Sequence, residues 1–529
     1  MRRLWDGVLH AVVLLLAAWV MALAFPRTDW SLTPWAALVP LLALATIRSP
    51  RTAFLWGWAS GTLFFAVLLR WLQFTFQVYS AIPWPLMYGP VLLLAAYCGV
   101  WTGAVAWAVS WLTARRSAAL ALALAPFLWV AAEWLRGHLF GGFPWGTLGY
   151  SQYLRVRVIQ IAELAGVHGV SFVLVAVNAA LAGCVVLRWR QALAGVGATA
   201  VLLAGTLAFG SVRLAEAPPA TAAPITIIQP SIEQPLKWEP RHTQETLGIY
   251  FALLRRVADE HPALVVWPET AAPTILRNDP ALVERFRAAA ANVGAPMLLG
   301  SIDVVNGRFR NTAFLITEAG IVGRYDKIQL VPFGEFVPLS RVLGFVRSWA
   351  QFIAELEAGS RAVVFNGPPA PFGVVICYEG IFPDLARRFV ARGANFLVNI
   401  TNDAWFGRTS APYQHLVMEA MRAVENRVPL VRAANTGFSA VVDLDGRVRS
   451  QTALYETTFL VAEVAWPQVT SFYTAHGDLF AHLCALATVG MLGYRYYRMT
   501  NAKCGVRNKG TLLSLSVRSA ESGVRLRTE

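Results

Sequence analysis

The sequence predicts a membrane α-helical protein with an α/β domain inserted late in the chain, and three observations carry that prediction. Of 529 residues, 56% are hydrophobic and 14% are charged, and the mean hydropathy is +0.49; a soluble globular chain is nearer a quarter charged. Long apolar stretches with little charge recur before residue 213 and return once after residue 475. Between them, short β-branched runs alternate with helix-patterned segments, the signature of layered α/β architecture. Abundant apolar surface and sparse charge also exclude a disordered chain.

A bilayer core takes about 20 apolar residues per helix. Stretches 8–25, 30–47, 53–69, 88–113, 117–135, 164–187 and 191–212 meet that requirement as seven spans, and 479–497 makes an eighth. Glu133 and Glu163 fall in or beside the fifth and sixth, and Arg495 near the end of the last. No small-residue cleavage site follows the first stretch, so it reads as a retained helix rather than a signal peptide. Basic residues set the orientation: Arg2, Arg3, Arg48, Arg51, Arg115, Arg116, Arg188 and Arg190 fall in one set of loops, and Arg27, Arg70, Arg136, Arg155 and Arg157 in the other. The richer side is the cytoplasm, joined there by Arg498, Lys503, Arg507 and Lys509. The expected organisation is a seven-helix membrane domain over 1–212, an extramembrane domain over 213–475 on the far side of the membrane, which in a bacterium would be the periplasm, an eighth helix over 476–497, and a basic, disordered cytoplasmic tail over 498–529. The net charge of +14 fits a membrane protein beside anionic lipid; no basic stripe interleaved with aromatics supports a nucleic-acid partner. The loop between spans five and six carries Trp134, Phe143, Trp145 and Tyr150. These aromatics serve either as interface anchors or as the lining of a groove that admits lipid.

Inside the extramembrane segment, the runs Ile225–Ile228, Leu264–Trp267, Met297–Gly300, Gly373–Cys377 and Asn395–Asn399 are continuous and apolar enough for strands buried on both faces. Segments 242–260 and 280–293 carry helical patterning, and Ser439–Asp443 leads into a hairpin at Asp445-Gly446.

Cysteine placement narrows the chemistry. Cys98, Cys184 and Cys484 fall inside expected spans and Cys504 in the tail, leaving Cys377 alone in the extramembrane domain. A solitary thiol in an oxidising compartment is either buried and inert or used as a nucleophile. A cysteine nucleophile needs a base or a positive neighbour, and His242, His261 and His415 sit in no suggestive setting. Glu269 follows a buried run in Val-Val-Trp-Pro-Glu-Thr, at the carboxyl end of a strand, where open α/β sheets place their chemistry. A partly desolvated acid there can act as a general base, or it can merely cap the next helix. Lys327, in Tyr-Asp-Lys-Ile-Gln-Leu-Val-Pro-Phe-Gly-Glu, offers an ammonium to a thiolate or an oxyanion. Glu335 can hold it by a charge-assisted hydrogen bond, or the two can form a surface ion pair of little value. The N–H of Tyr378 is a second oxyanion donor, and Glu379 a supporting acid or a solvated loop residue.

Together these segments resemble the nitrilase, or carbon–nitrogen hydrolase, superfamily: Glu269 after Trp-Pro, Lys327 in Tyr-Asp-Lys ahead of Val-Pro-Phe-Gly-Glu, and Cys377 in Ile-Cys-Tyr-Glu. Set between seven spans and one, and joined by Gln229-Pro230 with Lys237-Trp238, Asn402–Gly407, Arg422–Arg427 and Asn435-Thr436-Gly437, they resemble the bacterial apolipoprotein N-acyltransferase family from about residue 5 to 497. The resemblance implies an αββα sandwich and a Glu269–Lys327–Cys377 triad supported by Glu335, Tyr378 and Glu379. It implies transfer of an acyl chain from a phospholipid, typically phosphatidylethanolamine, through a cysteine thioester to the N-terminal amine of a diacylglyceryl-cysteine apolipoprotein. Trp238 is implied as a mobile-loop residue near substrate. Trp145 and Phe333 are further substrate-binding candidates, and Phe333, Phe336, Leu343, Phe345 and Trp349 form either an apolar mouth or ordinary packing. No cofactor, metal or nucleic acid is expected, and a monomer is. Two other functions fit less well: a membrane-tethered amidase, for which seven spans are an extravagant anchor, and a transporter, which would need more charge in its spans.

Overall fold

The computed structural model describes residues 2–114, 117–237, 239–338, 340–344, 355–467 and 469–497. Helices precede the sheets. The first half comprises Arg2–Ala22, a short turn of helix Thr33–Trp35 with Val39–Ile47, Pro50–Leu68, Leu72–Tyr79, Tyr88–Thr113, Ala118–His138, Ala162–Val186 and Trp189–Leu214, and residues 479–497 are again helical. Among the described residues, four helices have the length and apolarity to cross a bilayer: Tyr88–Thr113, Ala118–Gly141, Ala162–Val186 and Trp189–Leu214. Pro50–Leu68 and Leu72–Tyr79, bent by 58° at their junction, make a fifth if the pair is one span.

Small residues permit the closest helix packing. A Cβ on Gly61 would stand 3.0 Å from Gly99 Cα, and one on Gly57 would stand 2.9 Å from the Thr102 carbonyl. Helices Pro50–Leu68 and Tyr88–Thr113 therefore approach backbone to backbone, as membrane helices do where glycine lines the contact.

The α/β region holds thirteen strands among the described residues: β1 Ala222–Gln229, β2 Leu264–Val266, β3 Ala272–Ile275, β4 Met297–Val305, β5 Arg308–Thr317, β6 Gly320–Asp326, β7 Val364–Phe365, β8 Phe372–Ile376, β9 Phe396–Thr401, β10 Leu430–Ala434, β11 Ala440–Val442, β12 Val448–Gln451 and β13 Thr458–Ala465. One sheet runs β13-β1-β2-β4-β5-β6, with β3 also paired to β4; the other runs β12-β11-β10-β9-β8-β7. β1, β2 and β4 are mutually parallel, as are β8, β9 and β10. The apolar runs sort by face, because successive strand side chains point to opposite sides. Ile225, Ile227, Leu264, Val266 and Leu298 share a core with Val374, Ile376, Phe396, Val398 and Ile400 of the second sheet. Ile228, Val265, Trp267, Met297 and Leu299 face outward, onto Tyr250 and Leu254 of helix Thr243–Val257 and Phe286 of helix Pro280–Val293. Helices Pro383–Val390 and Ala411–Asn426 lie against the second sheet. The result is a four-layer α/β/β/α sandwich. The Asp-Gly hairpin forms between β11 and β12, with Gly446 at φ 86°.

The helical half and the sandwich share one apolar core. Phe64, Phe65, Trp71, Trp145 and Leu148 belong to the same cluster as Ile381, Met418, Met421 and Val424. Polar ties cross the same boundary. Arg422 donates to Tyr150 Oη at 2.9 Å, Gln160 donates to the Asp445 carbonyl at 2.9 Å, and Glu425 accepts from the Val167 N–H at 2.9 Å. The short helix Leu72–Tyr79, which the span pattern did not reveal, sends Thr75 to the Trp405 carbonyl and Tyr79 to that of Ala404.

Candidate active site

Each candidate lies just past the end of a strand. Glu269 follows β2, Lys327 follows β6 and Cys377 follows β8. Three residues in these segments take left-handed backbone conformations without being glycine: Thr270 at φ 49°, Phe333 at φ 61° and Cys377 at φ 53°. Such positions cost of order 1–3 kcal/mol each and persist only where the surroundings over-determine them.

The carboxylates and the lysine form a buried array. Lys327 Nζ donates to Glu335 Oε1 at 2.8 Å and stands 3.6 Å from Glu269 Oε1. Asn311, on β5, bridges them, donating through Nδ2 to Glu269 Oε1 at 2.7 Å and to Glu335 Oε1 at 3.3 Å. The second oxygen of Glu335 accepts from the Val331 N–H at 2.8 Å. Burial works against the Lys327 charge, yet Glu335 and Glu269 hold its ammonium above the ordinary lysine range. Cys377 lies within electrostatic reach of both Glu269 and Lys327. Burial first, and then the Glu269 charge, push its thiol up, against the pull of Lys327. The resting group is therefore a thiol that needs a base.

Sequence reasoning did not single out Lys237 or Asn311. Lys237 is fully buried and donates from Nζ to the Glu269 backbone carbonyl at 2.8 Å; burial lowers its pKa to about 8 despite Glu269 and Cys377 nearby. Its signal was the Lys237-Trp238 pair. Nothing local marks Asn311, a polar residue at an inward position of a strand.

Glu379 is not a solvated loop residue: it is fully buried, and its oxygens accept the N–H groups of Ile328 at 2.6 Å, Gln329 at 3.0 Å and Ile376 at 2.7 Å, and the hydroxyl of Tyr325 at 2.8 Å. Burial raises its pKa to about 7 against those donors. It ties the strand that delivers Cys377 to the loop that follows Lys327. Tyr378 packs edge-on to Phe382 with centroids 5.0 Å apart and lies within electrostatic reach of Lys327 and of Cys98 on helix Tyr88–Thr113. It thus stands between the Lys327–Cys377 cluster and the apolar helices.

Behind Cys377 lies a second polar cluster. Its carbonyl accepts from Asn399 Nδ2 at 3.2 Å and faces His415 Nε2 at 3.3 Å. His415 sits between Asp403 Oδ1 at 3.1 Å and Glu419 Oε1 at 3.0 Å, and Arg432 pairs with both acids. Burial would raise the Asp403 carboxyl, but Arg432 and His415 hold it at about 2.

Of the substrate-binding candidates, Phe333 is 43% exposed at the tip of the Val331–Val337 loop. Trp145 is 2% exposed; it stacks on His415 with centroids 6.0 Å apart and donates from Nε1 to Gln414 Oε1 at 2.8 Å. Trp238, Phe345 and Trp349 lie outside the described residues, as does the tail from 498.

The two-sheet domain, with its acid, ammonium and thiol at strand ends, defines a membrane-bound enzyme of the carbon–nitrogen hydrolase class. A family model described as carbon-nitrogen hydrolase matches residues 225–473, and one described as the apolipoprotein N-acyltransferase N-terminal domain matches residues 17–180. The apolipoprotein N-acyltransferase of Geobacter metallireducens is 38% identical over 497 residues, spanning 90% of this chain and 94% of its own length. That of Gloeobacter violaceus is 34% identical, over 93% of this chain and 95% of its own. That of Methylococcus capsulatus is 32% identical, over 95% and 97%. The chain belongs to the apolipoprotein N-acyltransferase family: it is an acyltransferase and a multi-pass bacterial membrane protein. Among solved structures, an amidase from Nesterenkonia sp. aligns with 49% of this chain and 95% of its own at a TM-score of 0.38 and 20% identity.

Proposed function

We propose that the enzyme moves a fatty acyl chain from a phospholipid to the N-terminal amine of diacylglyceryl-cysteine apolipoproteins in two half-reactions, with Cys377 as nucleophile, Glu269 as base and Lys327 as electrophilic partner. Glu269 takes the thiol proton as Sγ attacks the ester carbonyl, and Lys327 with the Tyr378 N–H holds the oxyanion. The ester C–O bond breaks, the lysophospholipid leaves with the proton from Glu269, and the acyl group stays on sulfur as a thioester. The lipoprotein amine then gives a proton to Glu269 and attacks; the C–S bond breaks and the thiol is restored. Two bulky lipids never need to occupy the site together.

The observation that carries this reading is the convergence of the Cys377 thiol, the Lys327 ammonium and the Glu269 carboxylate in a buried site whose neighbour, Tyr378, packs against the membrane-helix core. Donor lipid then arrives laterally, and chain burial contributes ~0.8 kcal/mol per CH₂. The donor is taken as phosphatidylethanolamine, typical of the family the sequence resembles, and the enzyme as a monomer. The same reading places eight helices in the membrane, with 1–212 and 476–497 forming the membrane domain, 213–475 in the periplasm and 498–529 in the cytoplasm. Its support is that segments assigned outside by charge touch the sandwich: Arg27 donates to the Arg408 carbonyl at 3.2 Å, and Gln160, beside Arg155 and Arg157, donates to that of Asp445 at 2.9 Å.

The test is incubation of purified enzyme with fluorescent phosphatidylethanolamine, followed by mass spectrometry. An acyl adduct on Cys377 and release of lysolipid are expected. Persistence of the adduct in Cys377→Ala overturns the assignment.

A further inference from the structure

A trans peptide is planar, and its C=O and N–H point in opposite directions. The carbonyl of Cys377 and the N–H of Tyr378 belong to one such unit. Whatever grips the carbonyl from behind therefore aims the N–H forward. Asn399 donates to that carbonyl at 3.2 Å, and His415 Nε2 lies 3.3 Å from it, both from fully buried positions. Neither is free to turn. Arg432 donates to Asn399 Oδ1 at 3.4 Å, which fixes the amide with its NH₂ toward Cys377. Asp403, Glu419 and Arg432 surround the imidazole, and Trp145 of the helix-connecting loop stacks on its face.

We propose that Asn399 and His415 are positioning residues for the oxyanion donor: by holding the Cys377 carbonyl they aim the Tyr378 N–H into the catalytic cleft. The grip also holds Cys377 in its left-handed conformation, φ 53°. Trp145 extends the arrangement into the membrane half, so the packing of a loop between helices bears on the angle of one peptide in the active site. The inference rests on the thioester reading given above, with the Tyr378 N–H as oxyanion donor.

Two reactions of Cys377 separate this role from a general structural one. Attack on an ester generates an oxyanion; displacement of iodide from iodoacetamide does not. In full-length enzyme in detergent, Asn399→Ser and His415→Leu are expected to slow single-turnover acylation by fluorescent phosphatidylethanolamine on the order of a hundredfold, the scale of one lost oxyanion donor. Alkylation of Cys377 by iodoacetamide should change less than about threefold, because it needs no such donor. His415→Gln, which keeps an N–H in reach, should recover part of the acylation rate. Alkylation falling in parallel with acylation, or acylation unchanged in the variants, overturns the inference. If His415→Leu does not accumulate, Asn399→Ser carries the same comparison. Failure of the wild-type enzyme to form any adduct on Cys377 is a different outcome, which defeats the thioester reading itself.

Discussion

Glu379 Oε1 accepts the backbone N–H of Ile328 at 2.6 Å, joining the turn that carries Cys377 to the loop that follows Lys327. The other carboxylate oxygen holds Ile376, the residue before Cys377. A glutamine at this position would turn two N–H donors toward groups that themselves donate. Glu379→Gln is expected to cost about 2–4 kcal/mol, the scale of leaving buried polar groups unpaired. It should also slow acylation of Cys377. Thermal unfolding in detergent and single-turnover labelling measure the two effects; a variant as stable as the wild type would contradict the tie.

Lys327 is held by two acids, Glu335 at 2.8 Å and Glu269 at 3.6 Å. Lys327→Met should lower acyl-enzyme formation on the order of 10²–10³-fold, the effect of removing one electrostatic partner of a developing oxyanion. Glu335→Gln keeps the lysine and a hydrogen-bond acceptor, so its loss should be smaller. Equal losses in the two variants would show that the Glu335 charge matters as much as the ammonium it holds, and would contradict the smaller role assigned to it.

The Cys377 thiol is pushed above its ordinary range by burial and then by Glu269. A raised pKa means less thiolate at any given pH, with the fraction growing about tenfold per unit until the pKa is passed. Alkylation of the resting enzyme by iodoacetamide should therefore rise continuously from pH 6 to 9. A plateau below neutrality would reveal a resident thiolate and contradict the direction of the shift.

Gly300, in β4, lies against the backbone of Glu269 and Thr270. A Cβ there would stand 2.4 Å from the Thr270 nitrogen and 2.8 Å from Glu269 Cα. Gly300→Ala should cost about 1–3 kcal/mol, as overpacking does, and should slow acylation by displacing Glu269, although the new methyl touches no substrate. Unfolding temperature and acylation rate decide this; wild-type values for both would show that β4 yields freely.

Much of the architecture was legible because it is written in local pattern. Composition and the long uncharged stretches announced the helical half, and the apolar runs Leu264–Trp267 and Gly373–Cys377 announced β2 and β8, since strands buried on both faces need no alternation. β5 was harder to see: it opens Arg308-Phe309-Arg310-Asn311, polar enough to pass for a loop. Helix Leu72–Tyr79 was hidden because its partners, the Trp405 and Ala404 carbonyls, lie more than three hundred residues away.

The sequence alone marked one half as apolar helices and the other as α/β, and nominated a solitary thiol with an acid and a lysine, because hydrophobic pattern and side-chain chemistry are properties of short segments. Only the tertiary structure decided which groups meet. It drew Asn311 and Lys237 to Glu269, set Glu379 as a clamp rather than a solvated acid, and laid Trp145 on His415 instead of at an open surface. Those outcomes depend on pairings between residues far apart in the chain, and no local periodicity encodes the distance at which two such side chains come to rest.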